Sequence, residues 1–301
     1  MLPEFPEFKL LDLDDKEPLE GYLREHPPLI SELTFTNLFA WREIYKYGLC
    51  RYRDGFLVSK GEGDQLTFLQ PLVPDGQQPA IRDCLDYLRG KVAAPAIDRV
   101  GEDIIGQYQW DPAEFTLDEE RDQFDYVYHV KELIDLPGDK FHDKKNLVNQ
   151  FTKKFSYEYR EMTPEVARRG LDFAHEWCIE RRCEESEGLT KENCATIQIL
   201  RHFAHLTVTG GAIYYEGEMI AFEIGEPLNA DTYVIHIEKA HPAIIGLYQA
   251  INREFLRHAV TDCPYVNREQ DLGVPGLRKA KLSYNPVRLV KKYRVADAGR
   301  H

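Results

Sequence analysis

The residues most able to do chemistry crowd one stretch near the end of the chain, Val266-Asn267-Arg268-Glu269-Gln270-Asp271-Leu272-Gly273-Val274-Pro275-Gly276-Leu277-Arg278-Lys279-Ala280-Lys281. One asparagine, two carboxylates, two arginines and two lysines surround two glycines and a proline. Two readings stand. Glu269 and Asp271 pair with Arg268 and Arg278 and only shape a loop, since structural ion pairs are common. Alternatively, the stretch receives a ligand that is anionic at one end and cationic at the other, with Asn267 and Arg268 among its contacts. Glu238 lies upstream at the end of a strand-like run, where burial would raise its pKa and suit it to proton transfer. Its plainer reading is an exposed strand-end carboxylate paired with Lys239 or Lys281. His142, His236 and His241 are further candidate bases, and lone histidines are usually structural. No Ser/His/Asp or Cys/His arrangement follows from spacing.

A second basic cluster lies in PGDKFHDKKNLVNQFTKK, residues 137–154, where Lys144 and Lys145 sit in a helix-like stretch with Phe141, Leu147, Val148 and Phe151 as its apolar stripe. The chain carries a net charge of −13. Such acidity argues against non-specific coating of duplex DNA, so any anion site must be a local basic patch. No metal centre is expected, because the six cysteines form no CxxC pair. They are expected as reduced thiols, since 301 residues with 43% hydrophobic content supply a core without staples. No apolar run reaches the ~20 residues of a membrane helix. The N-terminus lacks a signal-peptide pattern. The expectation is a soluble, cytoplasmic protein; oligomeric state is not addressed.

The elements that must position these residues follow from periodicity. Helices are expected at 18–28 and 31–46, the second with Ser31 as N-cap and an aromatic core of Phe35, Phe39, Trp41, Tyr45 and Tyr47. Strand-like runs follow at 49–53, 55–59 and 65–69, hinged on the hairpin signal Asp54-Gly55. A helix at 78–88 and strands at 96–100 and 122–130 complete the first half. The second half begins with a strand at 155–160. Thr163-Pro164-Glu165 then caps a helix that runs to about Arg182. Another helix runs from Thr190 to about Leu206. A hairpin turns at Glu216-Gly217, between 212–215 and 219–225. Strand 231–238, helix 243–259, strand 264–267, the charged stretch and a last strand at 287–295 close the chain. Both halves read in a similar element order, which predicts an α+β fold of mixed sheets. The expected domains are 1–136 and 137–301.

That order resembles the GNAT acyltransferase fold, in which the sheet splays between its fourth and fifth strands. Here those would be 231–238 and 264–267. The family's phosphate loop, Q/R-x-x-G-x-G/A, should follow the fourth strand. The sequence has Lys239-Ala240-His241-Pro242-Ala243-Ile244-Ile245-Gly246 instead, with one glycine and with a proline that removes a donor. A closer resemblance lies in FDYVYHVKELIDLPGDKFHDKKNLVNQF and VNREQDLGVPGLRKAKLSYNPVRLVKKYRV. Both are similar to a soluble bacterial family related to the C-terminal synthase domain of phosphatidylglycerol lysyltransferases. The resemblance covers most of residues 120–300 and implies two tandem GNAT-like domains, as in Fem-type aminoacyltransferases. The membrane domain of the lysyltransferases has no counterpart in this sequence, so their lipid substrate is not carried over.

The resemblance implies acyl or aminoacyl transfer from acyl-CoA or aminoacyl-tRNA, as a co-substrate rather than a bound cofactor, to an amine or hydroxyl. Glu238, Glu269 and Asp271 would be the acidic groups, the latter two holding the donor's amine. Lys144, Lys145, Arg278 and Lys281 would hold its phosphates, and a tRNA acceptor end needs only such a local patch. The competing expectation is a non-catalytic GNAT scaffold that binds an anionic metabolite or a protein partner.

Overall fold

A computed structural model describes residues 2–260 and 262–298. In chain order the elements are β1 (Lys9–Leu10), α1 (Lys16–Glu25), α2 (Phe35–Tyr45), β2 (Gly48–Tyr52), β3 (Gly55–Lys60), β4 (Thr67–Leu69), α3 (Gln77–Leu88), β5 (Ala96–Gly101), α4 (Glu102–Gln107) and β6 (Phe115–Glu119). There follow β7 (Asp125–His129), α5 (Val130–Asp135), α6 (His142–Lys154), β8 (Glu158–Glu161), α7 (Pro164–Glu180), α8 (Glu187–Arg201), β9 (Thr209–Tyr215), β10 (Glu218–Pro227) and β11 (Thr232–Ala240). Then come α9 (Leu247–Ala259), β12 (Tyr265–Asn267), α10 (Pro275–Leu282), β13 (Arg288–Val290) and β14 (Lys292–Asp297). The chain forms two compact units, one of residues 1–125, 270–275 and 289–301, the other of 126–269 and 276–288.

The first sheet has the order β1-β2-β3-β4-β5-β14-β6. Its one parallel pair is β4–β5; the others are antiparallel. The second sheet has the order β13-β7-β12-β11-β10-β9-β8. From β7 to β8 it too has a single parallel pair, β11–β12, among antiparallel neighbours. Read from opposite ends, the two orders place the parallel pair at the same position, and both sheets are GNAT-like. The fold class expected from element order therefore holds: mixed α+β with two tandem GNAT-like domains.

The units differ from the expected division after residue 136. β7 lies in the second sheet, and β14 lies in the first. Each sheet takes one strand from the other half of the chain. The expected last strand at 287–295 is two strands, broken at Lys291. Alternation identifies a strand but not its sheet, because pairing partners are set by long-range packing.

In the first unit, α3 packs Ala80, Ile81, Cys84, Leu85 and Leu88 against Leu57, Phe68, Ile97 and Val295. The expected helix at 31–46 is interrupted. Ser31–Leu33 is a short 3-10 turn, and Thr34, not Ser31, caps α2 by accepting from Asn37 N. Ser31 is fully buried, and its Oγ donates to Asp125 Oδ1 at 2.8 Å. Lys292 Nζ joins them, 2.6 Å from Asp125 and 2.5 Å from Glu32, with no exposed side-chain area.

In the second unit, α6 and α9 bury Phe151, Leu247, Ala250 and Ile251 against Ile213, Ala221 and Ala240 of the sheet. The helix expected from Ala243 begins at Leu247, capped by Gly246 at φ +84°. A side chain at Gly246 would collide with the Leu147 carbonyl, so glycine is required there for space as well as conformation. The thiols also depart from expectation: Cys178 and Cys183 form a disulfide, while Cys50, Cys84, Cys194 and Cys263 are free. No described helix is long and apolar enough to cross a membrane.

Truncating Lys292 would leave two carboxylates buried with less compensation. Lys292→Ala is expected to lower unfolding free energy in urea by about 3–5 kcal/mol, whereas Lys291→Ala, at a neighbouring exposed pair, should cost far less. Equal losses would contradict the burial argument.

Candidate functional site

The second unit concentrates its buried charge where β11 and β12 part. They pair in parallel through Thr232↔Tyr265, Tyr233↔Val266 and Val234↔Asn267 only. β11 runs on to Ala240 beside β10, while the other chain leaves at Arg268. Glu238 lies on this unaccompanied part of β11, directly opposite Glu223 on β10. Directly opposed residues share a sheet face with their Cβ atoms about 5 Å apart, so two carboxylates stand side by side.

Arg268 closes the gap. Its Nη2 lies 2.5 Å from Glu238 Oε2, with both side chains mostly buried. Its guanidinium carbon is 4.8 Å from the Tyr284 ring centre and 5.9 Å from that of Tyr128. Burial opposes the arginine charge, but Glu238 and its neighbours outweigh this, so the guanidinium titrates above its ordinary range. Arg268 Nη1 has no hydrogen-bond partner among the described residues.

Glu223 is fully buried. One oxygen accepts from Asn252 Nδ2 at 2.9 Å, and the other, Oε2, has no partner among the described residues. Burial pushes its carboxyl well above the usual range, and the adjacent Glu238 charge pushes the same way. One arginine cannot neutralise two carboxylates, so Glu223 is the one that keeps a proton. Lys144 completes the surroundings, 4.5 Å from the Tyr284 ring centre, its pKa lowered by burial and by Arg268.

The charged stretch acts largely as support for Arg268. Asn267 is buried, and its Oδ1 accepts from Glu269 N at 2.8 Å, which holds Glu269 at φ +54°. Lys281 Nζ donates to the carbonyls of Arg268 and Glu269. Tyr128 donates to the Lys281 carbonyl at 2.8 Å. Glu269 does not face Arg268. Its Oε1 meets His236 Nδ1 at 2.8 Å, and Glu226 Oε1 meets His236 Nε2 at 2.8 Å.

His236 sits where the β10–β11 register slips, between the pairs Ile224↔Ile237 and Gly225↔Ile235. It is the extra residue of a β-bulge, which re-aims a side chain. Burial opposes its protonation, but two carboxylates more than offset it and raise the pKa to about 9. At neutral pH it is an imidazolium with both nitrogens donating. The reading of His236 as a base therefore gives way to a clamp between β10, β11 and the loop.

The remaining candidates scatter. Asp271 is fully buried in the first unit, where Arg121 Nη1 lies 3.2 Å from Oδ2 and Gly273 N donates to Oδ1 at 2.9 Å. There its contacts with Arg121 and the Gly273 amide shape a turn. Arg278 is half-buried on α10, and Lys145 is exposed on α6. His142 lies 2.8 Å from Asn146 on the same exposed helix face, and His241 Nε2 lies 3.1 Å from Glu180. No group of three metal-binding side chains occurs among the described residues. Sequence reasoning missed Glu223, because an alternating strand gives no reason to bury a glutamate. The readable signal was Phe222-Glu223-Ile224, a carboxylate flanked by core residues opposite another strand carboxylate.

Residues 24–296 match the family described as phosphatidylglycerol lysyltransferase, C-terminal. A conserved protein of unknown function from Bacteroides thetaiotaomicron shares 32% identity and a TM-score of 0.89, covering 99% of this chain and 100% of its own. L-PGS from Bacillus licheniformis, at 14% identity, has a TM-score of 0.65 and covers 100% of this chain and 95% of its own. FemX, at 10% identity, has a TM-score of 0.52 and covers 96% of each chain.

The His236 clamp makes stability depend on pH. A pKa raised from 6.5 to about 9 contributes stability that is fully present below the unfolded value and lost as pH rises through the folded one. The wild type should lose on the order of 3 kcal/mol between neutrality and pH above 9 that a His236→Gln variant does not lose. Parallel stability–pH curves for the two proteins in urea would refute the clamp.

Proposed function

The chain belongs to the phosphatidylglycerol lysyltransferase C-terminal family, and from that membership we propose that it is an aminoacyltransferase. Its donor is an aminoacyl ester on tRNA, its acceptor an amine or hydroxyl, and its site the parting of β11 and β12. The observation that carries this reading is the cluster of Arg268, Glu238 and Glu223, buried together with two polar atoms that lack hydrogen-bond partners among the described residues. We place the reaction in the cytoplasm with its tRNA donor.

An attacking amine forms a bond to the ester carbonyl carbon and gives up a proton. Glu238, paired with Arg268, is the group that accepts it. Negative charge develops on the carbonyl oxygen, and Arg268 Nη1 is a fixed donor for it in a site of low dielectric. The bond to the ribose oxygen then breaks, and Glu223 supplies the proton that this leaving oxygen needs. A proton passing from Glu238 to Glu223 restores the starting state. Lys144, half-buried on α6, and Lys145, exposed on the same helix, suit the donor's phosphates. Asn267, Lys281 and Glu269 position Arg268, and Arg278 remains a candidate phosphate contact.

Two features disfavour acyl-CoA as the donor. The Gly-rich phosphate loop is missing, and the start of α9 is occupied by a buried Leu247 behind a glycine pressed on Leu147. The Arg268–Glu238 pair lies at the parting of β11 and β12. The same pair favours the second reading, a binding module without catalysis.

Transfer of a radiolabelled amino acid from charged tRNA to a panel of amines separates these readings. Glu238→Gln should lower the single-turnover rate about 10²–10⁴-fold with little change in tRNA affinity. Glu223→Gln should lower it less at low pH than at high pH. Binding of charged tRNA with no transfer to any amine would favour the module. Protection by acetyl-CoA but not by charged tRNA would overturn the proposal.

A further inference from the structure

Apart from the ion cluster, the second unit holds one covalent device. Cys178, half-buried in the last turn of α7, is bonded to Cys183, which begins the 3-10 turn leading to α8. Their Cα atoms are 5.2 Å apart. The five-residue step between them carries Arg181 and Arg182, both exposed, with Arg182 held at φ +50°. Beside Cys178, Trp177 is buried, and its Nε1 donates to the Ala240 carbonyl of β11 at 3.1 Å. Its ring centre lies 3.5 Å from Lys239 Nζ. Lys239 is fully buried and takes its counter-ion, Glu192, from α8 at 2.9 Å. The disulfide thus ties the end of α7 to the turn that leads into α8, and side chains of these two helices cage one strand residue, next in sequence to Glu238.

We propose that Cys178 and Cys183 are a reversible thiol–disulfide pair, opened and closed by a low-molecular-weight thiol, that sets how firmly the α7–α8 connection holds Lys239 on β11. Cys183 is 3% exposed and Cys178 more accessible, so the incoming thiolate attacks Cys178 Sγ. The S–S bond breaks and Cys183 leaves as a thiolate. A second thiol then resolves the mixed disulfide. The balance is protein disulfide plus two thiols giving two protein thiols plus one small disulfide, with two electrons passing to the protein. Reduction leaves α7 and α8 joined by a free six-residue connection, while Trp177 and Glu192 lose the link that fixes their spacing. This inference does not depend on the aminoacyl-transfer reading.

The test uses the full chain with Cys194→Ser, which removes an exposed competing thiol on α8. Folded protein is equilibrated in graded mixtures of reduced and oxidised glutathione, alkylated and read by peptide mass spectrometry. The fraction of Cys178 and Cys183 trapped as thiols should follow the ratio from both directions. Cys50 and Cys84, both buried, should remain unlabelled. Amide exchange at residues 179–190 should be roughly tenfold faster in the reduced form, and a Cys178→Ser variant should match that form whatever the glutathione ratio. The proposal is overturned if both thiols stay reduced in excess oxidised glutathione. It is equally overturned if the bond opens only when Cys50 and Cys84 also become reactive, or if exchange at 179–190 is the same in both forms.

Discussion

One arginine between two glutamates governs the second unit. Arg268 is mostly buried, and Glu238 neutralises it at 2.5 Å. Glu223 lies directly across the strand pair from Glu238, fully buried and with no ion pair of its own among the described residues. Burying a second bare carboxylate would cost several kcal/mol, so the arrangement is tolerable only with a proton on Glu223. The sheet therefore sets a carboxyl that burial pushes well above its usual range beside one that a guanidinium pairs, two settings of one chemical group separated by where the single guanidinium points. That difference follows from geometry and would vanish if Arg268 moved to the other strand.

The first unit provides the internal comparison. There too the parallel pair ends early, at Leu69↔Asp98, and the next residue is an arginine, Arg99, at φ +58°. Its buried acids each lie beside cations, although Glu32 Oε1 and Asp98 Oδ1 also lack hydrogen-bond partners among the described residues. Glu32 meets Arg99 at 3.2 Å and Lys292 at 2.5 Å, while Asp98 meets Lys60 at 2.6 Å and Arg294 at 3.6 Å. Each of these acids faces cations on more than one side, so the equivalent opening is filled by structural pairs. The duplicated fold offers two openings, and the second alone combines a fully buried carboxylate oxygen and an arginine nitrogen that both lack partners among the described residues. This contrast is the physical reason for placing chemistry in the second unit.

Much of this was legible in the sequence, and the illegible part has a common cause. Hairpin turns, the Thr163-Pro164 helix start and the amphipathic helices are written in local residue order, and they appear where expected. The strand exchange of β7 and β14 is not local. Phe124-Asp125-Tyr126 reads the same in either sheet, and only the pairing of β7 with β12 reveals which neighbours the chain has chosen. The site shows the same division. Glu238 and Arg268 could be named from their positions at strand ends. Glu223 could not, since its role depends on a register partner. His236 was visible as a histidine, but the slip that turns it between Glu226 and Glu269 is a property of two strands together.

The charged stretch near the C-terminus takes its meaning from that non-local part. Its lysines and acids suggest a surface for binding phosphate and amine. Yet Lys281 is committed to two backbone carbonyls, Asn267 to an amide two residues away, and Glu269 to an imidazolium. All of these act on the backbone on either side of one residue. A guanidinium that must approach a carboxylate from across a gap has a long, flexible side chain, and an unrestrained Arg268 would lose rotamer freedom on doing so. Fixing its backbone from three directions lowers that cost before any ligand arrives. A loop dense in charge is then what the buried pair requires, because each support must itself be a polar group with a partner in a place with little water.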